Sequence, residues 1–302
     1  MKPDSGWEAV VSPGIASDFF QGCYAFCLDE DDSNFSPRLA WLCSEISRVM
    51  YVCEKPEITS GAPPGTRNSF LAQAGLREIA FFDKAGVRGA LIHTNDTRTE
   101  PFAALVFRGT HNPQDWLKNL DTAPVAWNGP GRIHKGFRDA FEAVWPDILP
   151  LISTLTCPVV YTGHSLGAAL ATIAAVYLPP HSLYTFGSPM VGDSSFTAAL
   201  TGIPSFRIVN NSDIVPQLPP PMLGFTHTGL RLTISCRSGQ RKKLLPDVSI
   251  ADILDRERFS RTIQAWFARA TEPAAFLSDH APVNYTAAIE STFSIANAEF
   301  GS

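Results

Sequence analysis

The chain has 302 residues, with 24 Lys+Arg against 29 Asp+Glu for a formal net charge of −5; 45% of it is hydrophobic and 18% charged. That balance fits a globular protein large enough to build one sizeable core. The absence of a basic run or aromatic-interleaved basic stripe argues against nucleic acid as a partner, and no apolar stretch reaches the length of a membrane span.

No charged run followed by an apolar run opens the chain. The expectation is therefore a cytoplasmic protein, or a secreted one if a leader has been removed. Residues 1–35 read as an irregular N-terminal extension that ends in the acidic run Asp29-Glu30-Asp31-Asp32. The six cysteines (Cys23, Cys27, Cys43, Cys53, Cys157 and Cys236) follow no metal-ligand spacing and are read as reduced thiols, and no metal or cofactor is expected. Ser36-Pro37 starts a helix, as an N-cap with proline at the first helical position, and Leu39, Leu42, Ile46 and Val49 follow at helical spacing. Residues 77–82 and 87–93 read as a hairpin turned by Lys84-Ala85-Gly86.

Residues 102–107 form an apolar strand that stops at Arg108-Gly109-Thr110. In the segment that follows, Trp116, Leu117 and Leu120 share one face, and Asp115 and Lys118 lie on another. Residues 135–151 make an amphipathic helix leading into a buried strand at 158–163, then the turn Gly163-His164-Ser165-Leu166-Gly167, then a helix of small residues. Further strands are read at 183–186 and 205–210, with alternation suggesting another at 224–230. Helical runs follow near 256–270 and 285–298. Strands alternating with helices predict an α/β fold with a mostly parallel sheet, helices on both faces and ligands at the carboxyl ends of the strands. With no repeat and no long linker, 1–302 reads as a single domain.

The serine at 165 stands on a strand-to-helix turn, where its hydroxyl is presented and the Leu166 N–H lies at a helix N-terminus. A serine hydroxyl needs a base, and the base needs a carboxylate. Asp213, after the strand at 205–210 and before a proline-rich loop, is the acid candidate. Of the downstream histidines, His181 precedes Asp213, and His227 sits in the alternating stretch as a packed residue. His280, in a loop between helices and beside Asp279, is preferred as the base. An oxyanion would be met by the N–H of Leu166 and by Thr110 in the loop after the strand at 102–107.

The motifs FRGT, IHKGFRDAF, GHSLGAALA, YTFGSPMVGD, RIVNNSDIVPQLPP and the late DH stand in the order found in fungal-type (class 3) lipases, and from residue 36 onward the chain resembles that family. The resemblance implies an α/β-hydrolase fold with a short helical lid. It also implies Ser165, Asp213 and His280 as the triad, Thr110 and Leu166 as oxyanion donors, and a lid carrying His111, Trp116, Leu117 and Leu120. The substrate it implies is an acylglycerol or other lipid ester, met at a lipid–water interface without a transmembrane segment. Phospholipase A1, galactolipase or feruloyl esterase activity is the alternative on the same scaffold, and a hydrolase-fold binding protein without catalysis is the alternative from another class. After the histidine, relatives place an apolar residue and then a tyrosine sooner than Ala281-Pro282-Val283-Asn284-Tyr285 does.

Overall fold

Ser36 is extended (φ −104°, ψ 115°), and its hydroxyl accepts the Leu39 N–H at 3.2 Å, so helix α1 (Pro37–Val49) begins where expected in the computed structural model. The structure describes residues 13–14, 18–21, 34–52, 67–95, 101–110, 123–211, 213–235 and 279–293. Leu39, Leu42, Ile46 and Val49 are all buried, each contributing about 1.5–3 kcal/mol by leaving water. Phe19 and Phe20, from the stretch read as an extension, enter the same core; Phe19 packs on Phe70 and lies under the Arg48 guanidinium.

A short helix not anticipated from the sequence, α2 (Arg67–Gln73), precedes the hairpin of β1 (Leu76–Lys84) and β2 (Val87–Thr94). Lys84 belongs to β1, and the turn is only Ala85-Gly86, both at positive φ (53° and 80°). That is the two-residue geometry that matches strand twist. Next come β3 (Ala103–Phe107), a small ribbon of β4 (Val125–Ala126) and β5 (Arg132–Ile133), and helix α3 (Lys135–Ile152). Pro146 and Pro150 lie on the exposed side of α3, where water can take the carbonyls they leave unpaired.

The remaining strands and α-helices among the described residues are β6 (Val159–His164), α4 (Leu166–Tyr177), β7 (Ser182–Phe186), α5 (Ser194–Ala198), β8 (Ser205–Asn210), β9 (Leu230–Ile234) and α6 (Pro282–Phe293). The main sheet has the order β1-β2-β3-β6-β7-β8-β9, antiparallel as far as β3 and parallel from there on. Leu105, Phe107, Tyr161 and Leu183 pack on the side of α3 and α4; Ala104, Val106, Val160 and Tyr184 pack on the side of α1 and α6. The period-2 alternation of a strand divides one apolar run between two cores.

Two expectations are corrected. Residues 224–230 are not a strand: Gly224 and Gly229 sit at positive φ, Thr226 makes one isolated bridge to Gly192, and regular pairing begins only at Leu230. The last helix starts at Pro282 rather than near 285, because proline is accommodated at the first helical position. The helical run near 256–270 and the segment 111–120 lie outside the described residues.

Replacing Ser36 with alanine removes the side-chain N-cap of α1. Urea denaturation should register a loss of about 1 kcal/mol with an unchanged slope.

Candidate active site

Ser165 joins β6 to α4 at φ 59° and ψ −124°, a conformation that costs a non-glycine residue on the order of 1–3 kcal/mol. Its surroundings hold it there. The Ser165 N–H donates to the Phe186 carbonyl at 2.9 Å, and the Ser165 carbonyl accepts the N–H groups of Ala168 (3.0 Å) and Ala169 (3.3 Å). The two flanking glycines leave no room for a side chain. A Cβ on Gly163 would strike the Gly167 backbone and lie 2.8 Å from the Ala168 nitrogen, and one on Gly167 would strike the Phe107 carbonyl. The end of β3, the end of β6 and the first turn of α4 therefore meet backbone to backbone. Leu166 opens α4, so its N–H is among those a helix leaves without an internal partner.

The loop after β3 lies against this turn. A Cβ on Gly109 would clash with Tyr51 Oη, lie 2.9 Å from the His164 carbonyl oxygen and 3.1 Å from Ser165 Cβ. Arg108 is buried, and its Nε donates to the Gly109 carbonyl at 3.1 Å. Thr110 follows, half-buried, at the mouth of the loop. His111, Trp116, Leu117 and Leu120 lie outside the described residues.

Asp213 stands beyond the end of β8, 2% exposed, and three donors surround its carboxylate. The Val215 N–H reaches Oδ1 at 2.9 Å, His280 Nδ1 reaches Oδ2 at 2.8 Å, and the Tyr285 hydroxyl donates to Oδ2 at 2.6 Å. A carboxylate taken out of water needs such partners. With Nδ1–H committed to Asp213, neutral His280 has its lone pair on Nε2 and can accept a proton there. The turn carrying His280 is tied down as well. Asn210 Nδ2 donates to the Asp279 carbonyl at 2.9 Å, Asn211 Nδ2 to Asp279 Oδ2 at 3.0 Å, and His164 Nε2 to the His280 carbonyl at 2.6 Å. Below the pair is Gly187, at φ 57°. A Cβ there would lie 2.9 Å from both Asp213 Oδ2 and His280 Nδ1, so both the backbone angle and the space call for glycine.

The structure thus brings Asp213 and His280 into direct contact. It sets them beside the Ser165 turn through His164, the residue preceding the serine, and through Gly187, next to the Phe186 carbonyl that holds the Ser165 N–H. The other two histidines stand apart from this arrangement. His227 donates Nε2–H to the Pro216 carbonyl at 2.6 Å, and burial, aided by Arg207, pushes its imidazole down to about 4. His181 sits just before β7, at the amino end of the strands. Tyr285 was not among the residues expected here. Because α6 opens at Pro282, Tyr285 falls in its first turn, from which it reaches both Asp213 and the Asn210 N–H (3.1 Å). Among the described residues no group of three or more His, Cys, Asp or Glu could hold a metal ion.

Residues 104–223 match the class 3 lipase family. A secreted mono- and diacylglycerol lipase of Fusarium solani is 37% identical over 160 residues, covering 48% of this chain and 46% of that protein, so the chain spans about half of this curated relative. Among solved structures, the Rhizomucor miehei lipase–propeptide complex is 28% identical with a TM-score of 0.54, covering 65% of this chain and 67% of its own. A triacylglycerol lipase whose catalytic centre is a serine protease triad is 29% identical with a TM-score of 0.53, covering 65% and 79%. The architecture is that of the α/β-hydrolases, a mostly parallel sheet flanked by helices.

Gly109→Ala should displace the loop from the Ser165 turn. Ester hydrolysis is expected to fall by about 10² or more in kcat while far-UV circular dichroism stays unchanged, as for the loss of one oxyanion donor. Activity close to that of the parent protein would mean that the loop has no part in the reaction.

Proposed function

We propose that this chain, whose residues 104–223 match the class 3 lipase family, is a serine carboxylester hydrolase acting on acylglycerols. Ser165 Oγ attacks the ester carbonyl while His280 Nε2 takes its proton, and Asp213 stabilises the imidazolium that forms. The tetrahedral oxyanion is met by the N–H groups of Leu166 and Thr110. His280 then passes the proton to the departing alcohol, and water releases the fatty acid from the acyl-enzyme by the same steps in reverse. The route uses no metal or cofactor.

The observation that carries this reading is the buried 2.8 Å bond between His280 and Asp213, on a turn bonded directly to the residue before Ser165. A base for the serine requires such a carboxylate-oriented imidazole, and His280 has one. Acylglycerol as substrate rests on the relatives, as does a place outside the cell: the Fusarium solani protein is a secreted one. None of the described helices is long and apolar enough to cross a membrane.

A fluorophosphonate probe should label the protein at Ser165, with label absent from Ser165→Ala. An intact protein that takes up no label would defeat the proposal. His280→Ala should lower turnover by about 10⁴ or more, whereas His227→Ala should change it little. On a panel of triacylglycerols, diacylglycerols, phospholipids and feruloyl esters, the acylglycerols are expected to turn over fastest; a preference for phospholipid would reassign the chain to phospholipase A1 chemistry.

A further inference from the structure

The histidine of the Gly-His-Ser-Leu-Gly turn has no part in the mechanism above, yet it is 1% exposed and hydrogen-bonded at both ring nitrogens. Its Nε2 lies 2.6 Å from the His280 carbonyl oxygen, which can only accept, so Nε2 carries the proton. Its Nδ1 lies 2.8 Å from Tyr51 Oη. Burial, and the neighbouring His280 after it, hold the His164 imidazole well below its usual range, so the ring is neutral and Nδ1 accepts from the tyrosine hydroxyl. Burial raises the Tyr51 hydroxyl far above the ordinary phenol range, which keeps its proton in place, and the oxygen lies against the Gly109 backbone, in the space a Cβ there would need. The His164 and His280 rings sit with centroids 4.5 Å apart.

From this geometry we infer that His164 and Tyr51 are positioning residues that lock the base to the oxyanion loop through one chain of contacts. The Gly109 backbone packs on Tyr51 Oη, Tyr51 donates to His164 Nδ1, and His164 Nε2–H donates to the His280 carbonyl. The chain joins four separate segments: the end of α1, the loop after β3, the Ser165 turn and the turn before α6. His280 is thereby held at two points, its ring by Asp213 and its backbone by His164. His164 itself transfers no proton, because both of its nitrogens are engaged. The inference rests on the proposed roles of Ser165, His280 and the loop at Gly109-Thr110.

Tyr51→Phe keeps the ring and deletes only the hydroxyl, leaving His164 Nδ1 unpaired. On a soluble short-chain ester, kcat should fall roughly ten- to hundredfold while KM stays within about twofold, the mark of lost alignment rather than lost binding. Thermal unfolding should remain a single cooperative transition. In 15N-histidine-labelled wild-type protein, His164 should keep a neutral Nε2–H tautomer from about pH 5 to 9. An unchanged kcat in folded Tyr51→Phe, or a fall in activity no larger than the loss of folded protein, would overturn the inference. A His164 ring that titrates in that range or carries its proton on Nδ1 would overturn it too. A wild-type protein that hydrolyses no ester and takes no phosphonate would instead defeat the hydrolase reading; the tautomer is read without substrate, so the two failures are distinct.

Discussion

Backbone meets backbone where β3, β6 and α4 converge, and the site is built on that contact. Gly163 and Gly167 let the first turn of α4 rest on the end of β6 and on the Phe107 carbonyl, with no side chain between them. Any Cβ at either position would force strand and helix apart. The strained turn at Ser165 would then lose the neighbours that hold it, and a φ of 59° would relax toward an ordinary value. Gly109 and Gly187 repeat the device on either side, bringing the loop after β3 against the serine and the Phe186-Gly187 turn under Asp213 and His280. Contacts this close leave the backbone little freedom to shift, which alignment of reacting groups demands.

Polar satisfaction does the rest. The Asp213 carboxylate is removed from water but meets three donors, from Val215, His280 and Tyr285, so its burial is matched by hydrogen bonds. Tyr285 in turn accepts from Asn210 at the end of β8, and Asn210 and Asn211 hold Asp279. Asp213, His280 and the turn that carries His280 therefore form one network anchored on the end of β8. His227, nearer in sequence to Asp213 than His280 is, is held neutral by burial and by Arg207 and is bonded to a carbonyl, the condition of a packed histidine.

Much of this was legible in the sequence because it is local. Ser36-Pro37 acts as a cap within four residues, the strand-turn-helix around Ser165 is one continuous stretch, and the alternation of apolar strands with helices implies parallel pairing. What was missed is long-range or context-dependent. Tyr51 and His164 are 113 residues apart, and nothing in the spacing of either marks the other. Tyr285 reaches Asp213 across 72 residues, and its later position after the histidine is offset by a helix that starts at Pro282. Alternation at 224–230 suggests a strand, yet Phe225 is buried from a loop whose glycines at 224 and 229 adopt positive φ. A binary pattern records which residues are covered and leaves open whether a ladder covers them.

The proposed reaction requires Ser165, His280 and the amides of Leu166 and Thr110 to converge on one reacting carbonyl. A crystal structure of the protein after reaction with an alkyl phosphonate tests it most directly. Phosphorus is expected on Ser165 Oγ, with the phosphoryl oxygen within hydrogen-bonding distance of the Leu166 and Thr110 nitrogens and His280 Nε2 facing the ester oxygen of the adduct. Phosphorus on another residue, or a phosphoryl oxygen turned away from both amides with His280 out of reach, would contradict it.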